Sequence, residues 1–296
     1  MRANAHELID AFAGRGECDF MEAFADRYPV RIICELLGVP KEERDDFQGW
    51  ADDIGLAFSF SVPQYLDRIE AALQGLYART DVLLAERRRE PKDDLVTALI
   101  ATEEAGDRLS DEELRTMVSG LVFAGHDTTR NQLGYAMATF IDHPDQWALL
   151  GQAPSLAARA VEEVMRVAPT VPIIARTAAE DFEFQGLRIP SGTFLSIFAA
   201  SAHTDPRVFG ESGFDIRREL PAPQLSFGGG MHYCLGAWMA RAELAEALPI
   251  LAERLLEPRL AGKVSWRPFL GICGPTKLPV RFRGRGGQSP AERITS

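Results

Sequence analysis

Between Tyr65 and Arg89 the residues Ile69, Leu73, Leu76, Val82 and Leu83 fall at helical intervals, and the segment ends Arg87-Arg88-Arg89-Glu90-Pro91. A basic last turn followed by a breaker is how a helix stops. Shorter amphipathic segments occupy Glu7–Phe12 and Val30–Leu37, the second closed by Gly38-Val39-Pro40. Ser110-Asp111-Glu112-Glu113 reads as a capping box. The helix it opens runs to about His143-Pro144, a length of about 50 Å at 1.5 Å per residue. Another helix spans about Ser155 to Val167 and ends before Pro169. The pattern then switches to short alternating runs, Phe182-Glu183-Phe184, Leu187-Arg188-Ile189 and Thr193-Phe194-Leu195, split by Gln185-Gly186 and Pro190-Ser191-Gly192. These predict a small hairpin system. A last helix from Leu235 to about Leu256 and a last strand at Leu278–Phe282 follow. No internal repeat and no second boundary is visible. The prediction is a mainly α domain with small β-sheets over residues 1–282, and a Gly-, Arg- and Ser-rich tail, 283–296, expected to be disordered.

Composition narrows the function classes. At 46% hydrophobic and 25% charged residues the 296-residue chain is ordinary globular material. Its 32 basic and 43 acidic residues give a net charge of -11, which argues against a general nucleic-acid binder. The cysteines, Cys18, Cys34, Cys234 and Cys273, show no C-x-x-C spacing. That speaks against a zinc module or a disulfide framework and fits a reducing compartment. No run approaches the roughly 20 apolar residues of a membrane span, and the start lacks a signal-peptide pattern. The expectation is a cytoplasmic protein without a membrane anchor.

Two places break the local rules. In the long helix, Leu121-Val122-Phe123-Ala124 runs into Gly125-His126-Asp127-Thr128-Thr129. Helix interiors disfavour Gly, Asp and Thr, so the conflict marks a candidate functional site. Further on, the loop Phe227-Gly228-Gly229-Gly230-Met231-His232-Tyr233-Cys234 leads into a helix. Its glycines let backbone pass close to a flat or bulky group, and the helix start suits a ligating thiolate. Taken alone, a cysteine at a helix start is more often a buried small hydrophobe than a functional group.

The whole string Phe227–Gly236 resembles the haem-binding signature of the cytochrome P450 family, Phe-x-x-Gly-x-x-x-Cys-x-Gly, with Phe227, Gly230, Cys234 and Gly236 on the expected positions. The resemblance implies haem b, with Cys234 as the axial thiolate. Phe227, Gly228 and Gly236 would surround it, and His232 and Arg176 would face the haem propionates. Ala124-Gly125-His126-Asp127-Thr128-Thr129 resembles the family's distal-helix motif. By that resemblance Gly125 leaves room for O2, and Asp127 with Thr128 forms a proton route. Glu163-Val164-Met165-Arg166 resembles the family's Glu-x-x-Arg, with Arg218 as the later arginine of a structural network, and His203 also reads as structural. Substrate-facing positions by the same likeness are Phe123, Ala124, Val171, Ile173, Ile174 and part of Leu270–Gly274, each of which could equally be plain core.

The expected activity is that of a bacterial haem-thiolate monooxygenase, inserting one atom of O2 into a hydrophobic small molecule. A ferredoxin or flavodoxin would supply electrons at a basic patch including Arg241 and Arg254. The likeness begins partway into the family's fold, so the expected architecture is a P450 fold lacking its N-terminal portion, with a pocket open on one side. A peroxide-using enzyme fits less well with an intact Asp127–Thr128 pair. The reading from outside the enzyme class is a truncated, non-catalytic binding or interaction protein.

Overall fold

A computed structural model describes residues 1–58, 61–104, 109–210, 213–269 and 271–284. Helices occupy α1 (Arg2–Asp10), α2 (Tyr28–Leu37), α3 (Arg44–Gly55), α4 (Leu66–Arg89), α5 (Leu95–Glu104) and α6 (Asp111–Asp142). They continue with α7 (Pro144–Gln152), α8 (Ala157–Val167), the short α9 (Ala199–Ala202) and α10 (Pro206–Phe209), and α11 (Ala237–Arg254). Strands are β1 (Glu17–Asp19), β2 (Ile173–Thr177), β3 (Phe182–Phe184), β4 (Leu187–Ile189), β5 (Phe194–Phe198), β6 (Leu255–Leu260), β7 (Ser265–Trp266), β8 (Pro275–Lys277) and β9 (Pro279–Gly284).

The strong punctuation behaves as its chemistry requires. Ser110 accepts from the backbone N–H of Glu113, and Glu113 returns the contact to the N–H of Ser110 at 2.8 Å, closing the capping box of α6. Gly38 ends α2 in the left-handed conformation, φ 72°. The weaker signals were less informative. The segment at Phe194 does not extend the β3–β4 hairpin but pairs antiparallel with β2, Arg176 opposite Leu195. β1 and β6 flank β9 in one three-stranded sheet, and β9 runs two residues past the expected strand end, to Gly284, taking Arg283 out of the expected tail. Residues 285–296 lie outside the described residues.

The long helix α6 is the axis on which the core is assembled. Its first turns send Leu114, Val118 and Val122 into an apolar cluster with α2, α3, α4 and α5. Its last turns send Leu133, Ala136, Met137 and Phe140 into a second cluster with α1, α7, α8 and α11. Between the two lies a buried polar belt, His126, Asp127, Thr129, Arg130, Asn131 and Gln132. Buried polar groups persist only where they are hydrogen-bonded, so the belt marks where the helix does something besides pack. Among the described residues no helix is long and apolar enough to cross a membrane.

Candidate active site

One face of α6 walls a cleft of about 350 Å³, presenting Leu121, Ala124, Gly125, Thr128, Thr129 and Gln132. The spacing of three and four is that of a single helix stripe. The opposite wall is Ser226–Gly228, His232, Cys234–Gly236 and the first turns of α11; Thr170, Val171, Ile174 and Arg176 form the third side. Three segments far apart in sequence thus meet, and eleven of the positions singled out from the sequence lie among the lining residues: Ala124, Gly125, Thr128, Val171, Ile174, Arg176, Phe227, Gly228, His232, Cys234 and Gly236.

The cysteine loop is a backbone construction. Gly228 (φ 72°) and Gly230 (φ 69°) hold the left-handed region, where a side chain is strained. The Cys234 N–H donates to Phe227 O at 3.0 Å and the Gly228 N–H to Leu225 O at 2.8 Å, so the loop folds back on itself. Cys234 is exposed, whereas burial pushes the thiols of Cys18 and Cys34 up to about 12, the environment of inert cysteines. Arg241 lies over the Phe227 ring, 4.3 Å from its centroid, and is ion-paired with Glu162 at 2.5 Å. Arg254 is likewise paired, with Asp10 at 2.5 Å, so neither arginine of the expected basic patch is free of a carboxylate. Arg176 differs: its guanidinium donates to the Ala175 carbonyl at 2.8 Å and has no carboxylate partner among the described residues. An exposed thiol, an unpaired guanidinium and a histidine in a mostly apolar lining are a donor set that fits a thiolate-ligated haem with its two acid groups.

Behind the loop lies a buried ion network. Arg166 donates from Nε and Nη2 to the two oxygens of Glu163, each at 2.8 Å, with both side chains 1% exposed. Arg218 Nε adds a third bond to Glu163 at 3.1 Å. Arg166 also donates to His203 O at 3.0 Å, and His203 Nε2 accepts the Leu225 N–H at 2.6 Å, two residues before Phe227. An accepting Nε2 requires neutral imidazole, and burial moves the His203 pKa down in agreement. The network therefore braces the start of the cysteine loop.

Other positions fall elsewhere than the sequence suggested. Asp127 is fully buried and does not line the cleft; both its oxygens accept from Arg267, at 2.8 Å each. Phe123 stacks on Phe58, ring centroids 5.4 Å apart, away from the lining. Ile173 pairs with Phe198 at the end of β2 and is not a lining residue either. Gly125 lines the cleft, and a Cβ there would come 3.3 Å from Ile33 Cδ1, so it also sits where α2 packs closely on α6. Thr128 donates to Ala124 O at 2.8 Å, back-bonding along its own helix. Of the stretch Leu270–Gly274, Leu270 lies outside the described residues and the rest does not reach the lining. Gln132 and Thr170 were missed. Gln132 was readable as the next i+4 position after Thr128; Thr170 carries no signal of its own. The two are joined by the Thr170 N–H donating to Gln132 Oε1 at 3.1 Å.

Against known proteins, the cytochrome P450 family model matches residues 57–153 and 146–255. Luteothin monooxygenase of Streptomyces thioluteus is 43% identical over 287 residues, covering 95% of this chain and 70% of that protein. Vitamin D(3) 25-hydroxylase of Pseudonocardia autotrophica is 40% identical over 294 residues, covering 95% of this chain and 70% of the relative. Among solved structures, the polyketide synthase cytochrome P450 PksS of Bacillus subtilis superposes with TM-score 0.86 at 35% identity, covering 94% of this chain and 72% of that one. The chain thus spans about 70% of the length of the curated relatives it matches. It belongs to the cytochrome P450 family, among the bacterial monooxygenases.

Proposed function

We propose that this chain holds haem b in the cleft through Cys234 and inserts one atom of O2 into a hydrophobic small molecule, with electrons from a ferredoxin- or flavodoxin-type protein. The observation that carries the reading is the meeting, around one apolar cleft, of the exposed Cys234, the unpaired Arg176 and His232 with Thr128 on the facing helix. Bound there, a thiolate-ligated haem supplies the oxygen activation, because the thiolate pushes electron density toward iron and favours O–O cleavage. The chain's own residues do the rest. Arg176 and His232 neutralise the acid groups at the cofactor edge, which would otherwise be costly to bury. Thr128 donates its hydroxyl hydrogen bond to Ala124 O, which leaves its oxygen lone pairs free to accept from a group in the cleft. The apolar walls at Leu121, Val171 and Ile174 favour a hydrophobic substrate and exclude bulk water.

The test is reconstitution with haem, reduction, and addition of carbon monoxide. The expected result is a thiolate-type Soret shift that Cys234→Ala removes. Its retention in the variant would defeat the ligand assignment. A second reading, a non-catalytic P450-like binding protein, is favoured by one observation: Met231 and Trp238, on either side of Cys234 and outside the cleft lining, are 93% and 82% exposed. An apolar face of that kind marks an interaction surface. Failure of the wild-type chain to take up haem would select this second reading.

A further inference from the structure

One turn along α6 from Thr128 stands Gln132, which lines the same cleft and is 2% exposed. Both ends of its amide are spent on the backbone that follows α8. Nε2 donates to Ala168 O at 2.9 Å, and Oε1 accepts the Thr170 N–H at 3.1 Å. A side-chain amide carries the donor and acceptor of a peptide group, so Gln132 does for this segment what a neighbouring strand would do.

The segment is poorly equipped to hold its own shape. Ala168–Pro172 lies between the end of α8 and the start of β2 in no regular element, and Pro169 and Pro172 have no N–H to donate. Further bonds tie it to distant parts of the chain. Thr170 exchanges two with Cys273 in the connection between β7 and β8, Cys273 N–H to Thr170 O at 2.8 Å and Thr170 Oγ1 to Cys273 O at 2.6 Å. The Ala200 N–H donates to Pro172 O at 3.1 Å. Thr170 and Val171 line the cleft, and β2, which follows, adds Ile174 and Arg176. One side chain of α6 therefore spans from the stripe that carries Thr128 to the root of the facing apolar wall. Thr170 is only 7% exposed, so loss of that side chain leaves buried backbone groups without a partner.

We propose that Gln132 is a positioning residue: its amide clasp sets the wall at Thr170–Val171 against the α6 stripe, and through Val171 it governs how an apolar substrate lies beside Thr128. The consequence for substrates rests on the monooxygenase reading, whereas the clasp is testable without haem. In the full chain, hydrogen–deuterium exchange followed by NMR should find the Thr170 amide protected at least about a hundredfold. Gln132→Met, which keeps the length and removes both bonds, should speed that exchange by about tenfold. Fast exchange at Thr170 in the wild-type chain, or an unchanged rate in Gln132→Met, would overturn the clasp.

The positioning role is read in the haem-loaded chain, from the Soret shift on titration with two probes. 4-Phenylimidazole carries an apolar ring beyond its ligating nitrogen; imidazole does not. Gln132→Met should weaken 4-phenylimidazole on the order of tenfold and leave imidazole within about twofold. In a Val171→Ala background the same substitution should cost 4-phenylimidazole less than about twofold, because its effect is carried by that side chain. Losses that add in the double variant would mean that Gln132 touches the probe directly, and would sink the positioning role. Equal weakening of both probes, or of neither, would sink it too. A wild-type chain that takes up no haem refutes the proposed function instead, and exchange at Thr170 then decides on the clasp alone.

Discussion

Removing the Arg166 side chain as Arg166→Met keeps its bulk and deletes its charge. Four contacts go with it: the two 2.8 Å bonds to Glu163 and those to His203 O at 3.0 Å and Gly213 O at 3.2 Å. Breaking a buried pair by deleting one partner costs about 3–5 kcal/mol, because the remaining charge is stranded. Here Glu163 keeps Arg218 Nε and the Asp215 N–H, each at 3.1 Å, so the lower end, ~3 kcal/mol, is expected. Against a typical stability of about 5–15 kcal/mol that is a large fraction. The assay is urea unfolding followed by far-UV circular dichroism, with a midpoint lowered by about 1 M at a slope near 3 kcal/mol/M. Arg218→Met is the internal control. Arg218 is 20% exposed and its loss leaves the Glu163–Arg166 fork intact, so about 1 kcal/mol is expected. If Arg218→Met proves as costly as Arg166→Met, the buried fork is not the anchor of this region.

Two further perturbations test separate parts of the fold. Asp26 is pushed up from 3.8 to about 6, mainly by burial, against the pull of Arg130. Its folded value lies above its unfolded one, so the stability it contributes is complete below pH 3.8 and lost as pH rises through 6. Asp26→Asn should therefore match wild type near pH 4 and exceed it above pH 6 by on the order of 2 kcal/mol in thermal or urea unfolding; a difference that does not change with pH would refute this. Glycines on α6 should split by environment. A Cβ at Gly134 would come 2.5 Å from Pro275 Cγ and 2.8 Å from Met21 Sδ, whereas one at Gly120 meets nothing within 4 Å. Gly134→Ala should destabilise by about 1–3 kcal/mol and Gly120→Ala stabilise by about 0.5–1 kcal/mol; equal effects in melting experiments would contradict the packing.

The contrast between legible and illegible residues follows from the range of the physics. The capping box at Ser110, the left-handed stop at Gly38 and the glycine loop at Phe227–Gly230 are local devices, and each acts within a few residues. The stripe Ala124, Gly125, Thr128 is set by helix period, so its gathering on one face needed no tertiary knowledge. Asp127 was legible as an unusual residue, and helix period also turns it from the cleft. What the sequence does not show is its partner, Arg267, 140 positions away in the connection between β7 and β8.

By itself, then, the sequence determined the helices with strong punctuation, the loop that presents Cys234, and the residue types that meet in the cleft. These depend on backbone freedom, capping and period, which a short window contains. Only the tertiary structure decided that Phe194–Phe198 pairs with Ile173–Thr177, that Phe123 and Ile173 lie outside the cleft lining, and that Arg254 is paired with Asp10. Strand partners and ion partners are chosen by what the packed helices bring within a few ångströms, and distance along the chain carries no record of that.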